Sequence, residues 1–81
     1  MILIEVCVPA LDESYDFECD EQAAVETLIE EIISLIEEKE KIPCREREGR
    51  CLYVSGQGRF LKGEEGMEKQ GINSGDKLIL V

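Results

Sequence analysis

From Asp20 to Glu40 the sequence contains neither glycine nor proline, and its apolar residues fall on one side of a helix. Val25, Leu28, Ile29, Ile32 and Ile36 recur at three- and four-residue steps, the spacing that lines up one face, and Ile33 and Leu35 widen that stripe. Glu26, Glu30, Glu31, Glu37 and Glu38 fill much of the remaining circumference. Asp20 reads as the N-cap, with further acids in the first turn where the helix dipole favours them. The helix is expected to stop before Ile42-Pro43, because the residue ahead of a proline is steered out of helical geometry. A two-faced helix of roughly twenty residues must bury its stripe against another layer, and the flanking sequence supplies strands for that layer.

Ile2, Ile4, Val6 and Val8 alternate with Leu3, Glu5 and Cys7, the period of a strand with one buried face. Pro9 ends that run by removing a backbone donor. Asp12-Glu13-Ser14 is turn chemistry, after which Tyr15, Phe17 and Cys19 alternate with Asp16 and Glu18. The pair reads as an N-terminal antiparallel hairpin. Beyond the helix, Arg45 to Gly49 is a charged loop, and Cys51 to Ser55 reads as a strand with Leu52 and Val54 inward. Gly56 and Gly58 mark a turn, and Arg59-Phe60-Leu61 is a very short edge strand. Met67 and Ile72 are expected to anchor a loop punctuated by Gly63, Gly66 and Gly71. Gly75-Asp76 then turns into a last strand, Lys77 to Val81. The order β-β-α-β-β-β predicts an α+β fold: a mixed sheet of four to five strands, its terminal strands central, crossed by one helix.

The length of 81 residues suits one domain, 1–81, and is too short for two. No apolar run approaches the roughly 18 residues that span a bilayer. MILIEVCV lacks a basic lead and is followed by acids, so it is not read as a signal peptide, and a cytoplasmic location is expected. The net charge is −10, with no Lys or Arg before Lys39. Such a chain is repelled by nucleic acid and by anionic lipid, which excludes both as expected partners. Cys7, Cys19, Cys44 and Cys51 lack the paired spacing of zinc sites, and there is no His. They read as reduced thiols, with neither metal nor cofactor expected.

Several stretches resemble ubiquitin, in order and nearly end to end. Lys39-Glu40-Lys41-Ile42-Pro43 is similar to its KEGIP helix exit, and Leu52-Tyr53-Val54-Ser55-Gly56 to its LIFAG strand. Met67 to Ile72 parallels LSDYNI, and Lys77 to Val81 parallels TLHLV. The resemblance implies a ubiquitin-like β-grasp fold. Within that group the ending Gly71-Ile72-Asn73-Ser74-Gly75-Asp76-Lys77-Leu78 most resembles the YukD/EsaB-type proteins that accompany type VII (ESX-like) secretion systems in Gram-positive bacteria. That resemblance implies an accessory role with a protein partner, such as a membrane component of the secretion system.

Ubiquitin and its conjugated relatives, like the small sulfur carriers, act through a flexible tail ending in Gly-Gly. The sequence given stops at Val81 inside the last strand, so neither conjugation nor sulfur transfer is expected; a longer native C-terminus would restore that alternative. Catalysis is not expected either, since no His, nucleophile elbow or phosphate loop is present. Gly56-Gln57-Gly58 reads as a hairpin turn, and Cys51 beside Arg50 has no candidate base.

What remains is a binding surface. With Leu78 and Leu80 inward, Ile79 and Val81 point outward, and the same parity turns Cys7, Cys51 and Tyr53 outward. By resemblance, Tyr53 and Val81 match positions in the patch through which ubiquitin is recognised. Arg50, Arg59 and Lys77 are expected to rim this patch with positive charge. The expected state is a monomer or weak homodimer, and a homo-oligomerising β-grasp module is the alternative reading.

Overall fold

The computed structural model describes residues 1–41 and 50–81. The helix exit at Ile42-Pro43, Cys44 and the charged loop Arg45 to Gly49 lie outside the described residues. Strands β1 (Ile2–Val8), β2 (Glu13–Cys19), β3 (Leu52–Val54), β4 (Arg59–Phe60) and β5 (Lys77–Leu80) form one sheet, in the order β2-β1-β5-β3-β4. β1 and β2 are antiparallel and paired along their whole length, while β1 and β5 run parallel side by side. β3 is antiparallel to both β5 and β4. The mixed sheet with central terminal strands is therefore the one the sequence predicts.

Alternation decides which side of each strand is buried. Ile4, Val6 and Val8 on β1, Tyr15 and Cys19 on β2, Leu52 and Val54 on β3, and Leu78 and Leu80 on β5 are all buried. They form one cluster with the stripe of α1 (Val25–Glu40), namely Val25, Leu28, Ile29, Ile32, Ile33 and Ile36. Each such aliphatic side chain contributes about 1.5–3 kcal/mol when removed from water. Leu35, expected to widen the stripe, instead stays 52% exposed. It lies beside β2, next to Phe17.

The helix begins later than Asp20 suggests. A carboxylate oxygen of Asp20 accepts the Gln22 N–H at 2.9 Å, and its carbonyl accepts the Ala23 N–H at 3.1 Å. Asp20 thus closes a turn ahead of the helix instead of capping it. The N-cap is Ala24, with no side-chain hydrogen bond. Its role passes to a distant loop: Val25 N–H donates to the Glu65 carbonyl at 3.0 Å and Glu26 N–H to the Gly63 carbonyl at 2.9 Å. Backbone acceptors from elsewhere in the chain satisfy helix donors that local sequence leaves open. The hairpin also differs slightly: Pro9–Leu11 form a 3-10 turn, Asp12 takes a left-handed conformation (φ 52°), and Glu13 and Ser14 already belong to β2.

That capping loop is itself organised by Gln70, the one polar side chain buried among the described residues. Its Oε1 accepts the Lys62 N–H at 2.7 Å, and its Nε2 donates to the Lys62 carbonyl at 2.9 Å and the Glu65 carbonyl at 3.2 Å. Met67 and Ile72 are buried on either side, as their spacing predicts. Gly66 passes so close to the chain before α1 that a Cβ there would lie 2.8 Å from the Glu21 carbonyl oxygen.

Candidate protein-binding face

The face of the sheet away from α1 is crossed by a continuous row of side chains. Cys7 stands opposite Ser14 on β2 and opposite Ile79 on β5. Ile79 stands opposite Tyr53 on β3, and Tyr53 opposite Phe60 on β4. Their strand neighbours Val6, Leu78, Leu80, Leu52, Val54 and Leu61 are buried, so the pleat turns the row outward.

The β3–β4 end of the row is aromatic. The Tyr53 and Phe60 rings meet at 5.0 Å between centroids and 70° between planes. Phe60 is 57% exposed, while Cys7, Tyr53 and Ile79 are half-buried. Val81 and Cys51 extend the apolar area by one more pair. Each donates its N–H to the other's carbonyl, at 2.9 and 3.0 Å, which carries the β3–β5 ladder one residue past the strand ends. Val81 is 46% exposed and Cys51 half-buried. The Tyr53 hydroxyl reaches over the turn after β3, 3.7 Å from the place a Cβ on Gly58 would take.

Phe60 was not among the residues expected in the patch. The signal was present in the dipeptide Phe60-Leu61: with Leu61 buried, alternation turns Phe60 outward. Without the β3–β4 register, nothing decided which of the two faced in.

The charged surroundings differ from the expected cationic rim. Arg59 stands opposite Val54, whose side chain is buried, so Arg59 has the parity of the helix side. Its guanidinium donates to Gln57 Oε1 at 2.6 Å and to the Gln70 carbonyl. Arg59 therefore braces the Gln70 loop and does not border the outward patch. Lys77 does face outward, but its register partner is Glu5, which in turn pairs with Asp16. Arg50 is half-buried next to Cys51. The apolar area is bordered on its β1–β2 side by Glu5, Asp16 and Glu18, the outward positions of those strands. Parity sets this arrangement, because inward Tyr15, Phe17 and Cys19 leave the intervening acids outside.

Two titrating groups lie off this face. The Tyr15 hydroxyl donates to Glu40 Oε1 at 2.5 Å, and this bond, reinforced by burial, pushes its pKa up to about 12. Burial, with the charges of Glu21 and Asp20, raises the pKa of the Cys19 thiol. Its sulfur lies 3.9 Å from that of Met67 in the core. Cys7 and Cys51 face outward while Cys19 faces inward, so these three thiols do not converge.

No family model matches the sequence, and no curated protein matches it. Solved structures do. The chain is similar to the ubiquitin-like domain of an Arabidopsis thaliana protein (TM-score 0.74, 20% identity), covering 99% of this chain and 74% of that one. It is similar to the ubiquitin of Caldiarchaeum subterraneum (TM-score 0.72, 23% identity; 98% and 89% covered). It is also similar to the EccD5 ubiquitin-like domain from Mycobacterium xenopi (TM-score 0.77, 16% identity; 99% and 91% covered). Among the described residues five strands in this order, with a parallel central pair, are crossed on one face by one α-helix, and the likeness to those neighbours runs along nearly the whole chain: it has the ubiquitin-like β-grasp fold.

Proposed function

We propose that this chain is a non-catalytic protein that works by noncovalent docking of its outward sheet face on a larger protein. The carrying observation is the continuous apolar row Cys7–Ile79–Tyr53–Phe60, widened by Val81 and Cys51, on a face that no other element among the described residues covers. An aromatic pair within an apolar area, with polar residues around it, is the composition of protein interfaces. The acids Glu5, Asp16 and Glu18 along one border favour a partner that is basic there, and a net charge of −10 steers its approach.

The resemblance to the YukD/EsaB-type proteins, together with the likeness in fold to the EccD5 ubiquitin-like domain, supports a place for that partner. It is a component of a type VII (ESX-like) secretion system, in its membrane complex, met from the cytoplasm. Among the described residues no helix is long and apolar enough to cross a membrane. Between encounters the chain is a monomer or a weak homodimer.

Capture of the tagged protein from its own host, with Tyr53→Glu in parallel, tests this reading. Secretion-system proteins held by the native chain, lost on denaturing washes and absent from the variant, are the expected outcome. Species that survive denaturation would mean covalent attachment and would refute noncovalent docking.

A further inference from the structure

We infer that Cys7 and Cys51 regulate the docking proposed above: each exchanges with a low-molecular-weight disulfide to form a mixed disulfide, and the adduct blocks the outward sheet face. This regulation rests on the docking reading and on where the fold places the thiols.

Register puts both thiols inside the apolar area. Cys7 stands beside Ile79 in the row, and Cys51 exchanges backbone hydrogen bonds with Val81 one step along. Both are half-buried, on a face that no other element among the described residues covers. Neither closes the core, because Val6, Val8 and Leu52 fill the buried positions next to them.

Cys19 is the contrast. It is buried on the helix side of the sheet, its sulfur 3.9 Å from that of Met67, and burial raises its thiol pKa. A thiol that is covered and held protonated is a poor nucleophile.

Topology also limits what oxidation can make. Cys7 lies on β1 and Cys51 just before β3, with β5 between them. Two strand spacings hold their Cα atoms roughly 9–10 Å apart or more, whereas a disulfide needs less than about 7 Å. Cys19 faces the other side of the sheet. No pair among Cys7, Cys19 and Cys51 can therefore close a disulfide, and a mixed disulfide persists until an external thiol removes it.

The exchange needs no further oxidant. The cysteine gives up its proton and its sulfur attacks one sulfur of the small disulfide. A new S–S bond forms as the old one breaks, and the released thiolate takes up a proton.

Charge sets which cysteine prefers which reagent. Cys7 lies towards the border of Glu5 and Asp16, whereas Cys51 follows Arg50 on the far side of β5. An anionic reagent such as glutathione disulfide therefore favours Cys51, and a cationic one such as cystamine favours Cys7. Either adduct places a charged, hydrated group where the partner needs an apolar contact.

Treatment of the native chain with glutathione disulfide or cystamine, with peptide mapping by mass and affinity for the partner captured from its host, tests this. Adducts at Cys51 and Cys7 and none at Cys19 are expected, with affinity lowered about tenfold or more and restored by dithiothreitol. Cys7→Ser with Cys51→Ser should bind the partner and ignore both reagents. Adducts at Cys7 and Cys51 that leave affinity unchanged, while Tyr53→Glu abolishes it, would overturn the regulation and leave the docking reading standing. Full affinity in folded Tyr53→Glu would overturn both. Adducts at Cys19 alone, or a reagent-dependent loss of affinity in the double serine variant, would overturn the regulation too.

Discussion

The rings of Tyr53 and Phe60 stand edge to face, 5.0 Å between centroids, on neighbouring strands that pair in direct register. Neither ring is needed to close the core, since Leu52, Val54 and Leu61 fill the buried positions beside them. Under the docking proposal, this aromatic pair contributes more to binding than to folding.

Phe60→Ala should accordingly cost only about 1 kcal/mol of stability, the worth of one such ring contact plus a partly exposed ring. Partner affinity should fall by about tenfold or more, as for an aromatic anchor in an interface. Urea denaturation and a binding isotherm on the same variant separate the two effects. A large stability loss with unchanged affinity would show that Phe60 is a core residue in function.

How much of this was legible in the sequence depends on the range of the interaction involved. Alternation in Ile2 to Val8 and the stripe from Val25 to Ile36 are local periodicities, and they located the strand, the helix and the outward positions of Tyr53 and Ile79. The start of the helix was misplaced because Asp20 has the chemistry of a cap, while the actual acceptors are the carbonyls of Glu65 and Gly63, some forty residues away. Arg59 is expected on the rim and Phe60 is given no face, and only the register with Val54 and Tyr53 shows which of the two faces out. Leu35 sits beside the buried stripe in sequence, but in the fold it lies beside β2 and stays 52% exposed. Pairing between distant segments leaves no periodic trace in either one.

Gly66→Ala should destabilise the protein by about 1–3 kcal/mol, since a Cβ there would meet the Glu21 and Gln22 carbonyl oxygens at 2.8 and 3.0 Å and push apart the loop that caps α1. Gly56→Ala, where nothing lies within 4 Å, should stay within about 0.5 kcal/mol of the parent. Thermal or urea melts of the pair provide the comparison, and equal effects would contradict the close approach.

Gln70→Leu preserves the approximate volume but removes every partner that Gln70 offers to Lys62 and Glu65. A loss of about 2–4 kcal/mol is expected, as several backbone groups in this part-buried loop lose their hydrogen bonds. Hydrogen exchange should quicken at Val25 and Glu26, whose acceptors sit on the same loop. Unchanged exchange there would disconnect Gln70 from the helix start.

Tyr15 gives a pH signature. Its pKa is raised from about 10 to about 12 by the bond to Glu40 and by burial, so folding favours the neutral phenol. The stabilisation is whole below pH 10 and is lost as the pH climbs from there through about 12. In a Tyr53→Phe background, phenolate absorbance reports Tyr15 alone and should show its midpoint near 12. Glu40→Gln should bring that midpoint down, and a midpoint near 10 before that change would contradict the Tyr15–Glu40 bond.

The most direct measurement is the affinity of the native chain and of Tyr53→Glu for the partner captured from its host, with amide spectra of both recorded alongside. Tyr53 is half-buried on the outward face, so a carboxylate there remains hydrated and the fold is kept. It also places a charge in the middle of the apolar row between Ile79 and Phe60. The account predicts a native-like spectrum and loss of binding by at least about a hundredfold. Full affinity in a correctly folded Tyr53→Glu protein would contradict the assignment of the outward sheet face as the docking surface.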